Sequence, residues 1–193
     1  MLYFIEGEPI LFTSKAIILK SGDIAFKIFT HPETIAQLIN KKEKIRMYVY
    51  LNVKEDALEL YGFLTQEELG FFELLNSVGG VGPKSALALL GLSSVKNLKA
   101  AILSNKTEVL SKAPGIGRKT AERIILELKS KLTSEEGMIE LLEADLELEN
   151  ALIDLGYHKD AIKKVIKEIS DKKMPFNERL KIALKLLGEK KND

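Results

Sequence analysis

The 193 residues contain no cysteine, which excludes disulfide staples and thiolate metal sites. Histidine is nearly as scarce. His31 and His158 lie too far apart in sequence to form a local metal motif, and each reads as a surface or helix-cap residue. Long apolar runs are missing too, since no stretch approaches the roughly 18 residues that would suggest a membrane-spanning helix. Met1-Leu2-Tyr3-Phe4-Ile5 ahead of Glu6 is also too short for the apolar core of a signal peptide. No grouping of nucleophile, base and acid suggests covalent chemistry. These absences lead to the expectation of a cytoplasmic protein with no membrane association, no metal and no cofactor.

Net charge is almost absent, +1 from 29 basic and 28 acidic side chains, but the charges are segregated along the chain. Residues 1–63 carry 8 basic and 8 acidic side chains, 64–133 carry 10 and 6, 134–150 carry 0 and 7, and 151–193 carry 11 and 7. The second and fourth blocks are basic and the third is an acidic stretch between them.

The most informative presence is a duplicated pattern. Gly80-Val81-Gly82-Pro83-Lys84 and Gly115-Ile116-Gly117-Arg118-Lys119 stand 35 residues apart in register, each after one helix-like stretch and before another. A Gly-x-Gly turn adopts conformations that a Cβ forbids and lets main-chain N–H groups approach a ligand. The first turn of the following helix adds unpaired N–H donors and the positive end of its dipole, which suit a phosphate. Lys84, Arg118, Lys119 and, a turn later, Arg123 supply cations. A lone Gly-x-Gly between helices is usually only a cap and turn; two in register, each with an apolar residue inside and a cation after, point to tandem helix-hairpin-helix units that hold DNA by its backbone. An ATP-binding P-loop is excluded, because Pro83 and Arg118 occupy the position before the lysine that such a loop reserves for glycine, and no apolar strand leads into either turn.

Around this pattern the chain divides. Residues 15–20, 24–30, 45–53 and 58–63 are rich in Ile, Val, Phe and Tyr and read as strands, with a helical insert near 32–39. Four or five such strands fit a small barrel, of OB or SH3-like type on composition. Helical spacing then predicts helices at about 66–77, 84–91, 94–104, 107–112 and 118–132. Residues 134–145 read as an acidic flexible linker, with Met138, Ile139, Leu141 and Leu142 able to give partial helix. Residues 146–193 read as a three-helix bundle: Ala151, Leu152 and Leu155 on one face, Gly156 as a stop, then Ala161, Val165, Ile166 and Ile169, then Leu180, Ala183, Leu184 and Leu187. The fold class is therefore α+β and multidomain: an N-terminal barrel (1–63), a central all-α tandem helix-hairpin-helix domain (64–133) and a small C-terminal bundle.

In this order, the elements resemble the RuvA family of Holliday-junction-binding subunits. The resemblance rests on Glu55-Asp56-Ala57 with Leu60-Tyr61-Gly62-Phe63, on Gly80 to Lys84, on Pro114-Gly115-Ile116-Gly117-Arg118-Lys119-Thr120-Ala121-Glu122-Arg123, and on Ala151-Leu152 with Leu155-Gly156-Tyr157. The chain departs from the family at Asp23-Ile24-Ala25-Phe26, where the family tends to Gly-Val-Gly-Tyr, and in its more apolar opening, which keeps Gly7. The resemblance implies an OB barrel and a homotetramer, or two tetramers face to face, holding an open four-way junction. It also implies a RuvB-type ATPase partner docking on the C-terminal domain around Leu155, Gly156 and Tyr157, and a RuvC-type resolvase as a further partner. Glu55 and Asp56, by themselves a solvated hairpin turn, become under the resemblance an acidic pin at the junction centre.

The function expected is sequence-independent junction recognition for an ATP-driven motor in recombination and repair, without catalysis by this chain. The alternative is a helix-hairpin-helix repair enzyme, a glycosylase or nuclease. It needs a catalytic Asp or Lys soon after a hairpin, and the acids there are Glu122 and Glu127, in a helix. A protein adaptor built on the C-terminal bundle leaves the basic hairpins without a purpose.

Overall fold

The computed structural model describes residues 2–41, 43–169 and 174–189, with backbone alone for 135–143 and 189. It forms two compact units, Met1–Leu132 and Thr133–Asp193.

The first unit opens with strands β1 (Phe4–Phe12), β2 (Ala16–Ser21), β3 (Ile24–Phe29), β4 (Ile45–Val53) and β5 (Leu58–Phe63), closed into a barrel in the order β1-β2-β3-β5-β4. Helix α1 (Pro32–Leu38) lies between β3 and β4 in the chain, and β3 pairs parallel with β5 while the other pairs are antiparallel. This is the OB-type choice between the two barrels that composition allowed. Alternation puts Ile5, Ile17, Leu19, Ile28, Met47 and Val49 inside, where Ile35 and Leu38 of α1 join them.

Strand β1 is absent from the sequence reading because Gly7 and Pro9 interrupt its pattern. Gly7 is needed there: a Cβ would lie 2.1 Å from the Lys20 carbonyl oxygen, so only glycine permits so close a crossing of β1 and β2. At the Asp23 departure, Ser21 pairs with Ile24 across a two-residue turn whose positive φ of 61° falls on Gly22.

Four helices follow in the same unit, α2 (Gln66–Asn76), α3 (Pro83–Leu90), α4 (Val95–Leu103) and α5 (Thr107–Leu110), before α6 (Arg118–Asp154). Thr65 and Glu68 form a capping box at the start of α2, each side chain accepting from the other residue's backbone amide. Tyr61 and Phe63 of β5 belong to the core of these helices, which is separate from the barrel interior. The Phe72 ring of α2 stacks on Tyr61 with centroids 5.6 Å apart and packs on Phe63 at 4.8 Å, so the end of β5 is buried by the helices. Full burial of one such side chain contributes about 2–3 kcal/mol. Polar groups cross the same boundary: Asn76 Nδ2 donates to the Tyr50 hydroxyl at 3.2 Å, and His31 Nε2 lies 3.8 Å from Glu68 Oε1. Of the two sequence readings, surface or cap, His31 is the cap: it is buried at the start of α1, with Nδ1 accepting from the Thr34 amide. His158 sits exposed before the helix Lys159–Glu168 without a capping bond.

Helix α6 differs from expectation. The sequence reading ends it at 132 and places a flexible linker at 134–145, whereas the backbone stays helical to Asp154. No proline interrupts the stretch, and its Glu, Leu, Met and Ala are strong helix formers that outweigh the single Gly137. The acidic side chains at 135–143 lie outside the described residues.

In the second unit, Leu148 and Leu152 of α6 pack with Ile162, Val165 and Ile166 of α7 (Lys159–Glu168) and with Ala183 and Leu187 of α8 (Phe176–Glu189). Gly156, at φ +88°, terminates α6, and the Tyr157 amide returns to the Leu152 carbonyl. Arg179 is buried and pairs with Asp145.

Candidate nucleic-acid interface

The duplication in sequence is a duplication in backbone geometry. Gly80 and Gly115 both take the left-handed conformation, at φ +86° and +83°. The next amides fold back identically: Val81 N donates to Val78 O and Ile116 N to Ala113 O, each at 3.0 Å. The Gly82 and Gly117 carbonyls then accept the first helical bonds from Ala86 and Ala121, each at 2.9 Å. Val81 and Ile116 are both buried, each 4% exposed, and plug the turn into the core. With side chain and amide both engaged internally, these two residues shape the hairpins and turn the flanking glycines outward.

Glycine serves two different purposes within each turn. At Gly80 and Gly115 the positive φ requires it. At Gly82 the φ is −89°, open to any residue, and a Cβ at Gly82 or Gly117 would meet no atom within 4 Å. Both positions are therefore open to the outside. Behind them the first turns of α3 and α6 carry no acidic residue, and the cap residue Gly82 has no side chain to occupy the free amides. The dipole and donors therefore face outward unneutralised.

The cations are arranged unequally. Lys84 and Lys119 are exposed and have no ion-pair partner among the described residues. Arg118 Nε is 3.0 Å from Glu122 Oε1, an exposed pair one helical turn apart. Arg123 reaches across to the other hairpin, where Nη1 donates to the Gly79 carbonyl at 3.1 Å. Reciprocally, a Cβ on Gly115 would come 2.9 Å from Ser85 Oγ of α3. Each hairpin thus abuts the helix that follows the other. Arg123 and Ser85 as cross-braces are not visible in the sequence, since a contact spanning 44 residues leaves no periodic trace.

Glu55 and Asp56 sit at the exposed tip of the turn joining β4 to β5, which is closed by a bond from Lys54 N to Ala57 O at 2.9 Å. Neither acid has a hydrogen-bond or ion-pair partner among the described residues. Two residues into β5, Glu59 Oε2 accepts from Lys54 Nζ at 2.8 Å, the Tyr61 hydroxyl at 3.0 Å and Asn52 Nδ2 at 3.2 Å. The Lys54 ammonium, foremost among these donors, holds the Glu59 carboxyl at about 2. Burial and the neighbouring carboxylate push the Tyr61 hydroxyl upward. The sequence reading does not single out Lys54 or Glu59; cross-strand spacing beside an acidic turn is the available signal.

Comparison with known proteins fits this arrangement. Family models for the RuvA N terminal domain and for a SAM-like helix-hairpin-helix tandem match residues 1–62 and 72–130. The Holliday junction branch migration complex subunit RuvA of Clostridium perfringens (strain ATCC 13124) is 40% identical over 202 residues, covering 97% of this chain and 99% of that protein. The protein of the same name from Clostridium botulinum (strain 657 / Type Ba4) is 40% identical over 201 residues with the same coverage. The chain belongs to the RuvA family.

The RuvA-family match extends through the second unit, where the three residues singled out for partner binding lie at the α6–α7 turn. Leu155 is 58% exposed, Gly156 makes the left-handed stop, and Tyr157 is half-buried against the local core. Among the described residues, no single helix is long and apolar enough to cross a membrane, and no group of three or more His, Asp or Glu is placed to hold a metal ion.

Proposed function

We propose that this RuvA-family chain recognises four-way DNA junctions independently of base sequence and serves as the non-catalytic subunit of a branch-migration complex. The observation that carries the reading is the pair of hairpins with matching turn geometry, whose outward glycines and open helix N-termini repeat one arrangement suited to phosphate within a single compact unit. Backbone amides at Gly80, Gly82, Gly115 and Gly117 and the cations Lys84, Arg118 and Lys119 contact phosphates, with Val81 and Ile116 as internal plugs and Arg123 bracing the pair. Such contacts carry no base identity. Glu55 and Asp56 act as the acidic pin: carboxylates facing a phosphate-lined opening repel the backbone and disfavour a duplex threading straight through.

On this reading the chain works in the cytoplasm as a homotetramer, alone or as two tetramers face to face, so that hairpins engage all four arms together. The organisation is a barrel with pin at 1–63, hairpins at 64–133, an acidic connection at 134–145 and a partner-docking domain at 146–193. A RuvB-type ATPase supplies the energy and docks around Leu155, Gly156 and Tyr157; a RuvC-type resolvase acts on the same bound junction.

The deciding experiment is incubation of the purified chain with labelled four-way junction and with linear duplex of equal length. Much tighter binding of the junction, with the DNA left intact, is the expected result. Equal affinity overturns the junction assignment, and cleavage or base excision favours a repair enzyme instead.

A further inference from the structure

The tip that carries Glu55 and Asp56 also carries a cation that should weaken it. Lys54 stands directly beside the two acids, and a free ammonium there would either fold back on them or reach a phosphate, cancelling repulsion in both cases. It is not free. Its Nζ is held 2.8 Å from Glu59 Oε2, on the strand side of the turn, and the same oxygen is fixed by the Tyr61 hydroxyl and Asn52 Nδ2. Tyr61 is only 2% exposed and stacked on Phe72, so the chain of contacts ends in the core of the helices. The Glu59 side chain is itself largely shielded, 16% exposed, against 44% for Lys54.

We propose that Glu59 is a positioning residue that docks Lys54 against the barrel and thereby leaves Glu55 and Asp56 unneutralised at the tip, so that it helps to set the preference for open junctions over duplex. This rests on the reading that places those two acids at the junction centre. Glu59 touches no DNA on this proposal. Its effect passes entirely through the position of one ammonium group.

The test compares junction and linear-duplex affinities of the full-length chain and three variants at low and moderate salt. Glu59→Gln keeps the size and an acceptor oxygen but releases Lys54, so duplex affinity should rise by about threefold, the size of an exposed charge pair, and the junction-to-duplex ratio should fall. Lys54→Gln should act in the opposite direction and weaken duplex binding, because Glu59, left without its counter-charge, then adds its own repulsion to that of Glu55 and Asp56. The double variant Lys54→Gln/Glu59→Gln should return the ratio towards that of the unaltered chain, and all differences should shrink as salt rises.

A purely structural role predicts no such rescue, since loss of the Tyr61 and Asn52 bonds would loosen the turn whether or not Lys54 is present. An unchanged ratio in Glu59→Gln, or a double variant that fails to recover it, overturns the proposal. If Glu59→Gln does not fold, Lys54→Gln decides alone, and unchanged or tighter duplex binding counts against it. Failure of the underlying reading looks different: the unaltered chain would then show no preference for the junction at all.

Discussion

The two hairpins share a backbone and differ in how they are fastened and charged. The first turn, at Gly80, is braced through a hydrogen bond from Arg123 to Gly79, whereas the second, at Gly115, is seated by steric contact with Ser85. The first presents Lys84 alone after a proline; the second presents Lys119 beside an Arg118 already engaged by Glu122. Under the proposed function the backbone geometry common to both turns is the part that a phosphate meets. The braces differ, and each needs only to hold its turn.

The largest expected effect tests the shared part. Gly82→Ser and Gly117→Ser place a side chain in open space before a helix, where serine is at least as good a cap as glycine. Folding stability should stay within about 0.5 kcal/mol, yet junction affinity should fall about tenfold or more as the outward amides are covered. Gel-shift titration beside urea unfolding checks both halves. Full affinity in the folded serine variants would reduce both turns to plain caps.

Next comes the unequal seating. Gly80→Ala and Gly115→Ala each force alanine into the left-handed region at about 1–2 kcal/mol, but only the second also meets Ser85 at 2.9 Å. Gly115→Ala should therefore be the more destabilised in denaturant titration, and Ser85→Gly should recover the excess. Equal losses would show that the two turns are seated alike.

The charge difference is subtler. Lys84→Ala and Lys119→Ala should each reduce the slope of log affinity against log salt by about one for every phosphate no longer neutralised, whatever the DNA sequence. Arg118→Ala should change it less, because Glu122 already shares that charge. A larger change for Arg118 would mean that the pair opens on binding.

The smallest effect contrasts the hairpins, whose turns are held without carboxylates, with the barrel–helix boundary, which depends on one. The His31 imidazole 3.8 Å away, in the first place, and hydrogen bonds from the Leu64 and Thr65 amides hold the Glu68 carboxyl below its ordinary 4.5. A lowered folded value means that the stabilisation is present above about pH 4.5 and is lost as pH falls through the folded value. Glu68→Gln keeps the capping geometry, so it should cost less than about 1 kcal/mol at pH 7 and flatten the acid limb of the stability profile. An unaltered acid limb would move the acid sensitivity elsewhere, Glu59 being the next carboxylate to test.

Local signals are legible in the sequence. The glycine duplication, the strands at 45–53 and 58–63 and the Gly156 stop follow from turn chemistry and periodicity, and each agrees with the structure. What stays hidden depends on partners far along the chain. Strand β1 is obscured because Gly7 answers to the Lys20 backbone rather than to its own neighbours. His31 reads as a surface or cap residue; the cap agrees with the structure, while its burial stays hidden because α2, which helps to bury it, begins more than thirty residues later. The helical course of 134–145 is concealed by charge, which suggests a tether although the helix propensity of the same residues is high. Within the candidate site, the glycines and lysines stand out as a repeat and Arg123 as a further cation, while its bond to Gly79, like the contacts of Ser85 and Glu59, leaves no repeat in the sequence.

The stacking of Tyr61 on Phe72 gives the subunit the character of a gauge. The acidic turn is rooted through Tyr61 in the core that carries both hairpins, so on the proposed function the separation between Glu55 and Asp56 and the two glycine turns acts as a fixed dimension. Under the proposed function, a DNA substrate is then judged by whether its own spacing of backbone and open space fits that dimension. Selectivity would be a measurement of length, made by a rigid object that reads no letters.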